Sequence, residues 1–188
     1  MKAKPARNSS GVVLELGRRD ESLLAAASKP ATQTPSAFRL KRILVPIDFS
    51  DCSRKALRYA IPLAREHAGA ITLLYVVPPA YASGEYGGID YALLQAQMRE
   101  SGAKELSRLA IDEVQAQVPA DSLVRLGAPA VEIVAVAGEL DIDAIVIGTH
   151  GRTGLKHVML GSVAESVVRR APCPVLVVKE REHEFLAR

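Results

Sequence analysis

Residues 41–77 read KRILVPIDFSDCSRKALRYAIPLAREHAGAITLLYVV, and they decide the fold. Arg42–Ile47 (RILVPI) is a short β-branched apolar run, and Ile71–Val77 (ITLLYVV) is a second. Between them Leu57, Ala60, Ile61, Ala64 and Ala68 recur at helical spacing and stop before Gly69. Pro62 falls inside that pattern and predicts a local kink. Unbroken apolar runs suit strands covered on both faces, as in a parallel sheet.

The same alternation continues outward. Ser122–Leu126, Asp143–Ile147 and Pro174–Val178 are three more apolar runs. Ala103, Leu106, Ala110 and Val114 mark a second, longer helix. A third starts at Pro129, a favoured first-turn proline, and runs to about Leu140. A fourth carries Val163, Val167 and Val168 and ends before Pro172. Five strands alternating with four helices predict an α/β fold of three layers, α/β/α, around a five-stranded parallel sheet, doubly wound and Rossmann-like. The connection Pro78–Ile89 (PPAYASGEYGGI) is long for a strand-to-helix loop and reads either as a lid or as a connector.

The chain has 188 residues, roughly one domain at about 150 residues each with some chain left over. Residues 1–40 hold seven Lys and Arg against three Asp and Glu, so the overall +3 sits in that segment and the remainder is close to neutral. With no Trp and 4% aromatic residues, a base-stacking nucleic-acid surface is not expected. No apolar run approaches the roughly 18 residues of a membrane span. Cys52 and Cys173 form no zinc-ligand spacing and read as reduced thiols of a cytoplasmic protein. Segment 1–40 is interrupted by Pro5, Gly11, Pro30 and Pro35, and its apolar patches are too short for a secretory signal. It is expected to be a disordered or loosely docked extension. The domain then spans residues 41–180, and 181–188 form a tail.

In open α/β sheets ligands bind beyond the C-terminal strand ends, where strand order reverses. Strand one ends in Pro46-Ile47-Asp48-Phe49-Ser50, strand four in Gly148-Thr149-His150-Gly151, and one reversal puts these two ends side by side. Residues 148–162, GTHGRTGLKHVMLGS, are the richest stretch. Gly148 and Gly151 permit a close approach of backbone to ligand. Ser162 with Glu165 reads as a capping box, and the helix start behind it as a phosphate cradle; the two roles are compatible. Arg152 and Lys156 add positive charge beside it. Asp48 is either a ligand contact or a cap for the helix starting near Ser50. His150 either contacts the ligand or fills the turn. The remaining histidines have no metal spacing. Neither GxxxxGK[ST] nor a GxGxxG after the first strand is present.

With these residues in view, the segment 41–179 resembles the universal stress protein (UspA) superfamily, in its ATP-binding subgroup. KRILVPIDFS is similar to the family's opening strand, and GTHGRTGLKHVMLGS to its pattern G-x2-G-x9-G-[S/T], met at Gly148, Gly151, Gly161 and Ser162. APCPVLVVK resembles the last strand. The resemblance implies an adenine nucleotide alpha hydrolase-like fold and ATP as ligand, with magnesium or manganese bound through the phosphates. Asp48 would hold the ribose or adenosine, with Pro46 and Ile47 beside it. Val76 would pack on adenine. Gly148 and Gly151 would wrap ribose and phosphates, with Ile147, His150 and Arg152 alongside. Gly161, Ser162 and Val163 would bind phosphate oxygens. Some ATP-binding relatives carry a hydroxyl residue where this chain has Ala164. The resemblance also implies a homodimer through Val175–Val178. The expected role is a nucleotide-dependent regulatory or chaperone-like stress factor; a slow ATP hydrolase and an interaction module without nucleotide are the alternatives.

Overall fold

A computed structural model describes residues 2–5, 12–15, 40–79, 91–151 and 160–180. Arg152 and Lys156, most of the loop after Val77, and the tail 181–188 lie outside the described residues. The chain divides into two units, Met1–Phe38 and Arg39–Arg188. In the first, β1 (Lys2–Pro5) and β2 (Val12–Glu15) pair antiparallel, with Lys2 opposite Glu15.

The second unit alternates strand and helix. It runs β3 (Arg42–Pro46), α1 (Asp51–Glu66), β4 (Ala70–Val77) and α2 (Tyr91–Leu109). A π-helical turn (Ala110–Val114) follows, then β5 (Ala120–Leu126), α3 (Pro129–Glu139), β6 (Ala144–Gly148), α4 (Ser162–Arg170) and β7 (Val175–Val178). The five strands form one parallel sheet in the order β5-β4-β3-β6-β7. Successive residues of β3 face opposite sides: Ile43 and Val45 join the core under α1 and α2, Leu44 the core under α3 and α4. All three are fully buried, which is why the run shows no polar alternation.

The end of the sheet away from the candidate site is tied by side chains. Asp143 Oδ2 accepts from Lys41 N (2.7 Å) and Arg42 N (2.8 Å). Asp143 thus clamps the start of β3, and β6 begins one residue later than the apolar run suggests. Lys41 Nζ donates to His67 O and Ala68 O, satisfying carbonyls left open at the end of α1. Helix α1 runs through Pro62 to Glu66.

One helix extends well before the residues that mark it, and one local expectation is corrected. Helix α2 starts at Tyr91, with first turns that expose Leu93 and Leu94 and carry no core-facing stripe. The capping box at Ser162 does not form. The N-cap of α4 is Gly161, Ser162 is the first helical residue, and no side chain among the described residues caps the helix. Glu165, the other half of the expected box, instead pairs with Arg169 at 2.9 Å, one helical turn further on.

Gly102 and Phe49 each carry a local cost, and Phe49 shares its left-handed backbone with Ala68 and Asp141. Gly102 lies inside α2, where glycine costs about 0.5–1 kcal/mol relative to alanine; a β-carbon there would sit 2.1 Å from Tyr75 Cε1. Phe49, directly after Asp48, has φ 66°, a left-handed conformation costing roughly 1–2 kcal/mol outside glycine.

Ser50 does cap a helix: its Oγ accepts from Ser53 N at 3.2 Å at the start of α1. Ser50→Ala is therefore expected to destabilise the protein by about 0.5–2 kcal/mol. Ser162→Ala should change stability by less than about 0.5 kcal/mol. Urea unfolding of the two variants checks the contrast.

Candidate functional site at the strand-order reversal

β3 and β6 are neighbours in the sheet, and the chain leaves them toward opposite layers, α1 on one side and α4 on the other. Between their C-terminal ends lies a cleft of about 230 Å³. Pro46, Ile47 and Asp48 come from the end of β3, and Ile147, Gly148, His150 and Gly151 from the end of β6. Val76 comes from β4, and Gly161, Ser162 and Val163 from the start of α4. Eleven of the twelve expected site residues therefore line one cleft; the twelfth, Arg152, lies outside the described residues.

The glycines earn their place by packing. None of the three lies at positive φ. A β-carbon on Gly148 would meet Cys52 Sγ at 2.8 Å and the Cys52 backbone at 3.0 Å. One on Gly151 would lie 2.4 Å from Asp48 Oδ2, and one on Gly161 would lie 2.8 Å from Thr149 O. β6 is thus pressed onto α1, and the two ends of the 148–162 segment are pressed onto each other. Gly161 N donates to Thr149 O (2.8 Å), and Thr149 N to Val178 O (2.9 Å).

Asp48 combines both roles open to it in the sequence. Its Oδ1 accepts from Ser50 N (3.1 Å) and Ser50 Oγ (2.6 Å), so it orients the residue that caps α1. Its Oδ2 lies against Gly151 on the cleft wall. His150 Nδ1 is 2.9 Å from Thr149 Oγ1. Thr149 is buried, and its Oγ1 lies 3.8 Å from Cys52 Sγ, whose thiol also points to Val178 O at 3.6 Å. At the other side, α4 presents its first turn to the cleft. Helix starts leave several N–H groups without intrahelical partners, and with no side-chain cap among the described residues those of Ser162, Val163 and Ala164 suit an anion.

Sequence reasoning missed the rest of the lining. Leu74, Pro129 and Ile133 add an apolar wall, and Ser53, Thr149 and Ala164 fill the floor and rim. Pro129 and Ile133 lie on α3, which follows β5 across the sheet; only the strand order, with β4 between β5 and β3, brings them to Val76. An apolar wall, one carboxylate and an uncapped helix start suit a ligand with a flat apolar part, hydroxyls and an anionic end. Among the described residues no three His, Cys, Asp or Glu side chains gather as a metal site. No described helix is long and apolar enough to cross a membrane.

The profile of the Universal stress protein family matches residues 39–179. The chain belongs to the universal stress protein family. It is 37% identical over 144 residues to universal stress protein MJ0531 of Methanocaldococcus jannaschii, covering 77% of this chain and 85% of that one. To YxiE of Bacillus subtilis it is 34% identical over 145 residues, covering 73% and 98%. Among solved structures, MJ0577 superposes with a TM-score of 0.67 at 30% identity, covering 77% of this chain and 99% of the other. A universal stress protein solved in complex with cAMP has the same fold, with a TM-score of 0.55 at 24% identity over 73% and 96% of the two chains.

The packing of the glycines makes a prediction inside this universal stress protein domain. Gly148→Ala is expected to destabilise it by about 1–3 kcal/mol through overpacking. Gly138 in α3 has nothing within 4 Å of where a β-carbon would stand. Gly138→Ala is therefore expected to stabilise it by about 0.4–1 kcal/mol. Thermal melts of both variants check the opposite signs.

Proposed function

We propose that this universal stress protein binds ATP in the cleft between β3 and β6 and acts as a nucleotide-dependent regulatory or chaperone-like factor in the cytoplasm. The observation that carries the reading is the joint exposure, in one cleft, of the uncapped start of α4 and the Asp48 carboxylate opposite an apolar wall. Adenine would lie on Val76 and Ile133, and the ribose hydroxyls would donate to Asp48. The phosphates would take the amides of Ser162, Val163 and Ala164. This fit needs no hydroxyl at position 164, since the donors are backbone groups. A magnesium or manganese ion would come with the phosphates and neutralise part of their charge.

The reading extends to assembly. β7 is the outermost strand on its side of the sheet, and Leu176 on it is exposed. An apolar edge with open backbone groups invites pairing, and we propose a two-fold dimer through Val175–Val178. Sedimentation is expected to show a dimer; a monomer at every concentration would contradict it.

Calorimetric titration with ATP tests the site. The wild-type protein is expected to bind one ATP per chain. In Gly161→Val the side chain must push Thr149 away, opening the lip and blocking the amides of α4. That variant is expected to lose measurable ATP binding while its circular dichroism stays native. A folded Gly161→Val protein with wild-type affinity would refute the phosphate cradle.

A further inference from the structure

Gly102 and Phe49 meet the same side chain. Tyr75 of β4 is buried, and its ring occupies the notch that Gly102 leaves in α2. The same ring also meets Phe49, with centroids 5.0 Å apart and planes tilted by 48°. Phe49 stands between Asp48 and Ser50 in the left-handed conformation. That reversal is what lets Asp48 Oδ1 fold back onto both the amide and the hydroxyl of Ser50 while Oδ2 faces Gly151 across the cleft. Strained backbone persists only where its surroundings over-determine it, and such sites cluster where a side chain must be held ready. The surroundings here are a glycine spent inside a helix and a buried aromatic ring.

We propose that Gly102, Tyr75 and Phe49 act as a positioning stack that holds the Asp48 carboxylate in its ribose-binding orientation. None of the three is in the cleft lining. They act through Asp48, and the proposal rests on the ATP reading given above. Loosening the stack should release Asp48 and so cost the ribose contact, while leaving the base and phosphate contacts in place.

The experiment compares ATP with 2′,3′-dideoxyATP, which lacks both ribose hydroxyls, by calorimetry. Wild type is expected to prefer ATP by about tenfold or more, the value of a hydrogen bond to a charged group, and Asp48→Ala to erase that preference. Tyr75→Leu keeps an apolar side chain but removes the ring. It is expected to reduce the preference to about the level of Asp48→Ala, with dideoxyATP affinity within about twofold of wild type. Tyr75→Phe, which keeps the ring, should retain the full preference. Gly102→Ala, which must displace the ring, should behave like Tyr75→Leu and decides the matter if Tyr75→Leu does not fold. A folded Tyr75→Leu or Gly102→Ala protein with the wild-type preference overturns the stack. Equal loss of both nucleotides in these variants also overturns it, since that marks a general structural role. If wild type binds neither nucleotide, or Asp48→Ala keeps the preference, the underlying reading of the site falls and the stack with it.

Discussion

Ile43 opposite Ala144 and Leu44 opposite Ile145 join the two halves of the sheet, and the site depends on that seam. One half is β3-α1-β4-α2-β5 and the other β6-α4-β7; parallel crossovers are right-handed, so the chain must leave β3 and β6 toward opposite faces. A gap at their C-terminal ends is then unavoidable. What the sequence adds is the lining of the gap: Asp48 on one lip, the start of α4 on the other, and three glycines that let the lips close upon neighbouring atoms.

The seam also sets which parts of the molecule were legible from sequence. Strands buried on both faces announce themselves as apolar runs, so Ile43–Val45 and Leu73–Val77 were readable at once. α1 has a buried face that includes Ala56, Leu57, Ala60 and Ala64 and was equally clear. The first turns of α2 were not, because Leu93 and Leu94 are exposed and the period of the pattern is lost. The wall formed by Pro129 and Ile133 was hidden for a different reason: nothing local in α3 says which strand lies beneath its first turn.

Ser162 shows where a correct motif still misleads. Its pattern with Glu165 fits two local rules, a capping box and a phosphate turn. The structure resolves the overlap by shifting the cap back to Gly161, whose carbonyl accepts from Glu165 N at 2.9 Å. A serine one position earlier would have satisfied an amide of its own helix and left fewer for a ligand. The glycines of the same segment carry a related lesson. They were read as room for a ligand, yet each already faces protein: Cys52, Asp48 or Thr149.

The hydrogen bond from Thr149 to Val178 O has a bearing on how the chain is made. β7 is the last strand in sequence, and the lip of the cleft takes its hold from the far end of it. Lys55 of α1 reaches the same region, donating to Glu180 O at 3.2 Å. On the ribosome, β3, β4 and β5 can pair as soon as they emerge, since domains assemble during synthesis. The lip cannot: its acceptor is among the last residues of the domain to be translated. The mouth of the cleft is therefore completed only by residues that are translated after the first four strands of the sheet.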